Sequence, residues 1–427
     1  MYRFTNDYSE GAHPSILKAL ADTNLEGNLG YGYDPHCEHA AALIRCKIGR
    51  PDADVHFLVG GTQTNTTCIC AFLRPHEAVI AASSGHVCVH ETGAIEATGH
   101  KCVAMPAAAG GKLTPELVRA AVEAHTDEHM VKPRLVYVSN TTETGGVYTA
   151  AELRALRSVC DELGLLLYLD GARLASALAC GGASMEELGE VCDAFYIGGT
   201  KNGALFGEAV CILNPALKPD FRYILKQRGG MLAKGWLLGI QFEQLMQNCL
   251  YEELGEHSTR LAQQLSAGLA ALGVEFLFDS PSNQIFPILP DEVLAKLEGA
   301  FHWEVTAVPA PGRTCVRLVC SWATEQAAPP AFGRGGGGPL KASPACLKNL
   351  TKKGTPPARG RRPALFDSSK PLPAGRGGSS AGHGAGVGFS MPSSSMAFRY
   401  FSAISAPVSA SGMKGPPTGA PSFGSGM

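Results

Sequence analysis

The chain has 427 residues, 45% of them hydrophobic and 17% charged, with a formal net charge of −2. At about 100–200 residues per domain, that length implies two or three domains. No run approaches the roughly 20 apolar residues of a membrane-spanning helix, and Met1 to Asp7 lack the basic region and apolar core of a secretory signal.

The near-neutral total joins two unlike pieces. Residues 327–427 carry twelve Lys and Arg against one acid, Asp367, while residues 1–326 hold the other 24 basic and 37 acidic residues. The C-terminal 101 residues also contain 14 of the 28 prolines and 19 of the 51 glycines. Without sustained apolar periodicity, such a segment cannot bury enough surface to offset its chain entropy, and a disordered low-complexity tail is expected. It reads as a flexible tail without function, as a basic tail for acidic partners or nucleic acid, or as the product of a frameshift. The abrupt change after Trp322-Ala323-Thr324-Glu325-Gln326 favours the last.

Along residues 1–326, strands and helices alternate. Asp54 to Val59 reads as a buried strand ending at Gly60-Gly61, and Ala78 to Ala82 and Arg134 to Ser139 read likewise. Thr114-Pro115 opens a helix, with Thr as cap and Pro in the first turn. Thr149-Ala150-Ala151-Glu152 and Ser184-Met185-Glu186-Glu187 are capping boxes. Leu165 to Leu169 is a strand ending at Asp170, and Ala194 to Ile197 a strand ending at Gly198-Gly199. This alternation implies an α/β layering around a mostly parallel sheet. A long helical stretch follows from Gly235 to about Leu272, with a break expected near Gly255. Val274 to Phe278, Gln284 to Ile288 and Cys315 to Cys320 then read as strands around a helix at Glu292 to Leu297, a rhythm suited to a small α+β domain. The expected division is an N-terminal arm (1–15), a large domain (16–250), a small domain (251–326) and the tail (327–427).

The fourteen cysteines form no zinc-type CxxC pair, and no metal site is expected. Several lie in apolar runs (Val210-Cys211-Ile212), which suits reduced thiols in a cytoplasmic protein better than a disulfide scaffold.

In open α/β sheets, ligands bind beyond the carboxyl ends of strands. Four candidates fall there. Gly60-Gly61-Thr62-Gln63 opens a helix, where free N–H groups and the helix dipole favour an anion; a plain Gly-rich turn is the alternative. His86 follows the Ala78 to Ala82 strand and can stack on a planar ring or act as a base near neutral pH, or be structural. Asp170-Gly171-Ala172-Arg173 places an acid at the end of an apolar run, suited to a protonated heterocyclic nitrogen or to an Asp–Arg ion pair. Lys201, in Gly199-Thr200-Lys201-Asn202-Gly203, is poorly solvated among small residues, which lowers its pKa and makes the amine nucleophilic; a solvated loop lysine is the alternative. Together, with Lys201 31 residues after Asp170, they form a layout for pyridoxal 5'-phosphate.

The chain resembles the fold-type I pyridoxal-phosphate enzymes, and within them the low-specificity L-threonine aldolases of the aromatic β-eliminating lyase/threonine aldolase group. The resemblance is carried by FTNDYSEGAHPSIL (4–17), YGYDP (31–35), GGTQTN (60–65), GHVCVHETGA (85–94), SNTTETGGVY (139–148), YLDGARL (168–174), GGTKNG (198–203), RGGM (228–231), SNQIF (282–286) and VRLVCSWAT (316–324). It implies a three-layer α/β/α large domain, a small α+β domain, and cleavage of β-hydroxy-α-amino acids to glycine and an aldehyde. It further implies that Lys201 carries the cofactor, Asp170 faces the ring nitrogen, His86 covers the ring, and Gly61, Thr62 and Gln63 hold the phosphate, with Lys226 and Arg228 as weaker helpers. Arg173 would reach the cofactor's 3-hydroxyl side and the substrate. Arg317 would clamp the substrate carboxylate, with Asn6 close to it, and Tyr31 would border a neighbouring subunit's site in a homodimer or homotetramer. Two departures stand out. Asn140-Thr141 is followed by Thr142, where relatives often carry a His, which leaves the base for the β-hydroxyl open between His86 and a phosphate-linked water. The family's last helix is replaced by the tail. Another fold-type I lyase performing β-elimination, or an inactive truncated relative with a basic interaction tail, are the alternative readings.

Overall fold

The computed structural model describes residues 2–326. The tail at 327–427, expected to be disordered, lies outside the described residues, as does Cys346. The chain opens with β1 (Tyr2–Arg3) and then contributes seven strands: β2 (Asp54–Leu58), β3 (Glu77–Ala82), β4 (Cys102–Met105), β5 (Lys132–Ser139), β6 (Leu166–Asp170), β7 (Ala194–Gly198) and β8 (Glu208–Ile212). They form one sheet in the order β2-β8-β7-β6-β5-β3-β4. Only β8 runs against its neighbours; the other pairings are parallel. A further set follows, comprising β9 (Glu275–Phe276), β10 (Gln284–Ile285), β11 (Pro287–Pro290), β12 (Phe301–His302), β13 (Glu304–Ala310) and β14 (Arg313–Val319). β14 pairs antiparallel with β10, β11 and β13.

The central strands are apolar on both sides because helices cover both faces. One face buries Ile80, Val136, Leu167, Leu169, Phe195 and Ile197. The opposite face buries Val79, Ala81, Leu135, Tyr137, Tyr168 and Tyr196. A third cluster joins Phe4 to Leu261, Leu265, Ile285, Val316 and Leu318 around the smaller sheet. The fold is therefore a three-layer α/β/α body with a mostly parallel sheet and an α+β unit packed beside it, as the alternation of elements implies.

Both capping boxes form, on the helices Ala150–Leu163 and Met185–Val191, and Thr114 caps the helix Pro115–Glu123. Other expectations need correction. The strand at Asp54 is only half-buried, because β2 forms the sheet edge. The strands β4, β8 and β13 escape a reading by apolar runs; β13 is largely exposed along its length. The expected strand at Gln284 to Ile288 is split at Phe286 into β10 and β11.

The long helical stretch breaks at Gln247 to Cys249, not near Gly255. It forms two helices, Trp236–Met246 and Leu250–Ala271, with Asn248 and Cys249 at φ 50° and 60° between them. Gly255 instead lies inside the second helix, where a Cβ would sit 2.4 Å from the Ala175 carbonyl oxygen. The glycine is there for close approach to the helix Leu174–Ala179, which starts just after Arg173. The helix Leu250–Ala271 serves two cores, placing Tyr251 and Leu254 in the first and Leu261, Leu265 and Leu269 in the third.

Gly255→Ala is expected to lower stability by about 1–3 kcal/mol through overpacking, despite the better helix propensity of alanine. Urea unfolding checks it.

Candidate active site

Asp170 ends β6 in the middle of the sheet and is buried. Its Oδ2 accepts from the Tyr137 hydroxyl at 2.6 Å and Asn65 Nδ2 at 3.1 Å. Its Oδ1 accepts from the Tyr196 hydroxyl at 2.5 Å and the Ala172 N–H at 3.0 Å. Burial alone would raise the carboxyl's pKa, but the two tyrosine hydrogen bonds and the nearby His86 reverse the sign, and it stays below its ordinary value. The result is a buried anion held by four neutral donors, with no cation within ion-pair distance among the described residues.

Tyr137 on β5 and Tyr196 on β7 flank Asp170 from the neighbouring strands. Asn65 belongs to the helix Gly61–Phe72. The N-terminus of that helix follows Gly60, extended at φ −175°, and no side chain caps it. Its first N–H groups are thus available to an anion. A Cβ on Gly61 would meet the Tyr196 hydroxyl at 3.1 Å, so the glycine lets this turn pack directly on the group that holds Asp170. Thr62 is exposed. Gln63 turns its side chain away from the turn, accepting from the Val59 N–H at 3.3 Å and donating to the Arg228 carbonyl at 3.4 Å.

His86 donates from Nδ1 to Glu91 Oε1 at 2.8 Å. The same oxygen accepts from Asn65 Nδ2 at 2.8 Å, so His86, Glu91, Asn65 and Asp170 form one chain of contacts. The His86 backbone N–H donates to Glu143 Oε1 at 2.9 Å, and Ser139 Oγ donates to the same atom at 2.9 Å. Burial pushes the Glu143 carboxyl up, and the Asp170 charge adds to the shift. Two nearby acids are therefore driven in opposite directions, Asp170 toward the ionised form and Glu143 away from it.

Lys201 follows β7 in a turn fixed by its neighbours. Thr200 Oγ1 donates to Glu208 Oε1 at 2.8 Å and accepts from the Gly207 N–H at 3.0 Å, and Asn202 Nδ2 donates to the Gly198 carbonyl at 2.7 Å. No carboxylate lies within ion-pair distance of Lys201 among the described residues. Burial, then the Arg173 charge, lowers its amine's pKa, against the pull of Asp7, Asp170 and Glu208.

Arg173 does not pair with Asp170. Its fork is taken by buried Asp7, with Nε to Oδ2 at 2.7 Å and Nη2 to Oδ1 at 3.0 Å. Asn283 Nδ2 donates to Asp7 Oδ2 at 2.9 Å. Arg317, on β14, gives one Nη to Glu304 across the strand pair and to the Thr5 carbonyl at 3.3 Å. Its Nε is buried without a partner. Loss of hydration and repulsion from Arg173 lower the guanidinium's pKa. Arg173 thus lies within electrostatic reach of both Lys201 and Arg317. Asn6 holds the turn before it, accepting from the Tyr8 N–H at 3.0 Å and from Ser9 Oγ at 2.9 Å.

Tyr31 is not brought into this cluster. It lines a separate cleft of about 320 Å³ with Arg222, Gly230 and Met231, and Lys226 Nζ stands 4.5 Å from its ring centroid. Thr142, at the position of the departure noted in sequence, is a structural staple. Its Oγ1 donates to the Gly110 carbonyl at 2.6 Å and accepts from the Gly146 N–H at 2.9 Å.

Sequence reading missed Asp7, Asn65, Tyr137, Tyr196, Glu143 and Asn283. Tyr137 and Tyr196 had a signal: a tyrosine in a strand buried on both faces needs an acceptor for its hydroxyl. Asp7 had none without the fold, since its partner lies 166 positions away.

The strand order, the anion-ready turn, the buried strand-end acid and the strand-end lysine define a fold-type I pyridoxal-phosphate enzyme. The chain belongs to the beta-eliminating lyase family, whose model matches residues 7–289. It is 33% identical over 330 residues to the low specificity L-threonine aldolase of a Pseudomonas species, covering 76% of this chain and 94% of that one. It is 26% identical to the enzyme of the same name from Saccharomyces cerevisiae, covering 70% and 82%. A solved threonine aldolase structure from Leishmania major matches with a TM-score of 0.77 and 48% identity, covering 82% of this chain and 99% of that one. A Thermus thermophilus aspartate aminotransferase variant matches at 0.58 and 20% identity, a likeness of fold alone.

The cofactor of this class is pyridoxal 5'-phosphate, and the residues present fit it. A buried carboxylate kept ionised by neutral donors is complementary to a ring N–H cation, an uncapped helix N-terminus to a phosphate, and a weakly basic amine to an aldehyde. Among the described residues, no helix is long and apolar enough to cross a membrane.

Tyr196→Phe is expected to cost about 1.5–3 kcal/mol at pH 7, the range for a buried hydrogen bond to a charge. Asp170 titrates below its ordinary value of 3.8 in the fold. The stability it contributes is therefore present above 3.8 and lost as pH falls through the folded value. The variant's deficit shrinks over that same window, as urea unfolding across pH would record.

Proposed function

We propose that the chain cleaves L-threonine, L-allo-threonine and related β-hydroxy-α-amino acids to glycine and an aldehyde, acetaldehyde in the case of threonine. The observation that carries this reading is the pair of arginines beside Lys201, with the buried Arg317 Nε unpartnered. It is supported by the names of the relatives. Pyridoxal phosphate, when bound, supplies an electron sink that weakens a bond at the substrate Cα.

The chain's own residues then have separable tasks. Lys201 supplies the amine that holds the cofactor, its basicity lowered by burial and by the charge of Arg173. Asp170 stands against the ring nitrogen and keeps it charged. His86, oriented by Glu91, covers the ring, and the N–H groups of Gly61, Thr62 and Gln63 take the phosphate, with Lys226 and Arg228 as weaker contributors. Arg317, with Arg173 held in place by Asp7, grips the substrate carboxylate and so decides which bond at Cα stands perpendicular to the ring. Asn6 borders the carboxylate.

In this reading, the arm (1–15) and the small domain (251–326) close the site on the large domain (16–250). Tyr31, remote within one chain, serves a second copy in a cytoplasmic homodimer or homotetramer.

Two experiments test it. Purified protein incubated with L-threonine releases glycine and acetaldehyde; ammonia and an α-keto acid would instead mark a β-eliminating lyase, and no turnover an inactive relative. Lys201→Ala abolishes release. Arg317→Ala leaves the cofactor bound and weakens kcat/KM for threonine by about 100-fold or more, as expected when a buried polar partner is lost; loss of the cofactor itself would refute the carboxylate role.

A further inference from the structure

Threonine cleavage requires removal of the β-hydroxyl proton, and the residues assigned so far leave that task open. Thr142 is committed to Gly110 and Gly146. His86 is tied to Glu91 through Nδ1 and to Glu143 through its backbone N–H, which fixes its ring for covering the cofactor. A second imidazole stands next to it. His90 follows His86 by one helical turn, the spacing that puts two side chains on one face, and the two ring centroids are 5.5 Å apart at an interplanar angle of 50°.

The groups that bear on His90 belong to the site. Loss of hydration on its covered side lowers its pKa most. The charges of His86 on its own turn, of Arg317 on β14 and of Lys201 after β7 add to the fall, and Glu304 on β13 opposes it. The ring therefore lies within electrostatic reach of the residue that clamps the carboxylate and of the residue that carries the cofactor. It is exposed, as a group must be to exchange protons with solvent, and it is neutral at pH 7, as a base must be.

We propose that His90 contacts the β-hydroxyl of the substrate and accepts its proton. In that step the O–H proton passes to the free imidazole nitrogen, the Cβ–O bond becomes a carbonyl, and the Cα–Cβ bond breaks with its electron pair leaving to the bound cofactor. The aldehyde departs, His90 gives its proton to solvent, and Cα takes up one proton to give glycine, so protons balance. This inference rests on the threonine-cleaving reading.

The test separates β-oxygen chemistry from everything else the site does. Glycine has no β-carbon, yet the holoenzyme must bind it and exchange its α-proton. In His90→Asn and His90→Phe, kcat for L-threonine is expected to fall about 100-fold, the usual scale for a general base. Glycine affinity, read from the visible spectrum of the bound cofactor, and exchange of the glycine α-proton in D₂O are expected to stay within about threefold. The acidic limb of the parent's kcat/KM profile, where activity is lost as pH falls through the lowered His90 pKa, disappears in the variants. Unchanged threonine cleavage, or a parallel loss of glycine exchange, would overturn the assignment. A parent holoenzyme that exchanges glycine but leaves threonine intact would instead bring down the reading on which it rests.

Discussion

A negative charge at the centre of a hydrophobic sheet is the constraint around which this protein is arranged. Asp170 sits where water cannot reach it, and its four contacts come from neutral donors. Keeping it ionised without a salt bridge requires three strands and a helix to present a phenol, an amide and a second phenol in register. The order β7-β6-β5 does this, and the helix Gly61–Phe72 adds Asn65 from above. An isolated buried ion is costly; on the proposed reading, a ring cation brought by the cofactor would relieve that cost.

The opposite imbalance exists on the substrate side. Arg173, Arg317 and Lys201 stand against Asp7, already committed to Arg173, and Glu304, paired with Arg317. Such a cluster suits the carboxylate group of a small substrate. Aminotransferases share this fold, so the scaffold alone does not select a reaction. On the proposed reading, selection would come from which bond at Cα the arginines hold upright and from what meets the side chain beyond it.

The sheet's central strands were legible because both faces are covered, leaving short apolar runs bounded by glycine. The edge strand β2 and the exposed β13 were less so, since half-buried strands carry a weaker pattern. The break after Met246 was misplaced at Gly255 because a helical glycine has two meanings, a stop or a close contact, and only the neighbour Ala175 tells them apart. At the site, residues displayed at strand ends in short motifs could be read directly, as with Lys201, Asp170 and His86. Their supports could not, because Asp7 and Asn283 acquire meaning only through partners more than a hundred positions distant, and Asn65 reaches Asp170 across 105.

The N-terminal arm ties these regions together. β1 pairs in parallel with β12 as a separate two-stranded sheet, Phe4 sits in the core of the smaller sheet, and the Val319 N–H donates to the Phe4 carbonyl at 2.8 Å. Three residues on, Asp7 grips Arg173 of the large body. The arm is thus a short, taut strap whose far end steers a guanidinium. On the proposed reading, a shift of the smaller sheet would reach Arg173 through this strap, so that the packing of one unit and the aim of a side chain in the other would share a single mechanical linkage.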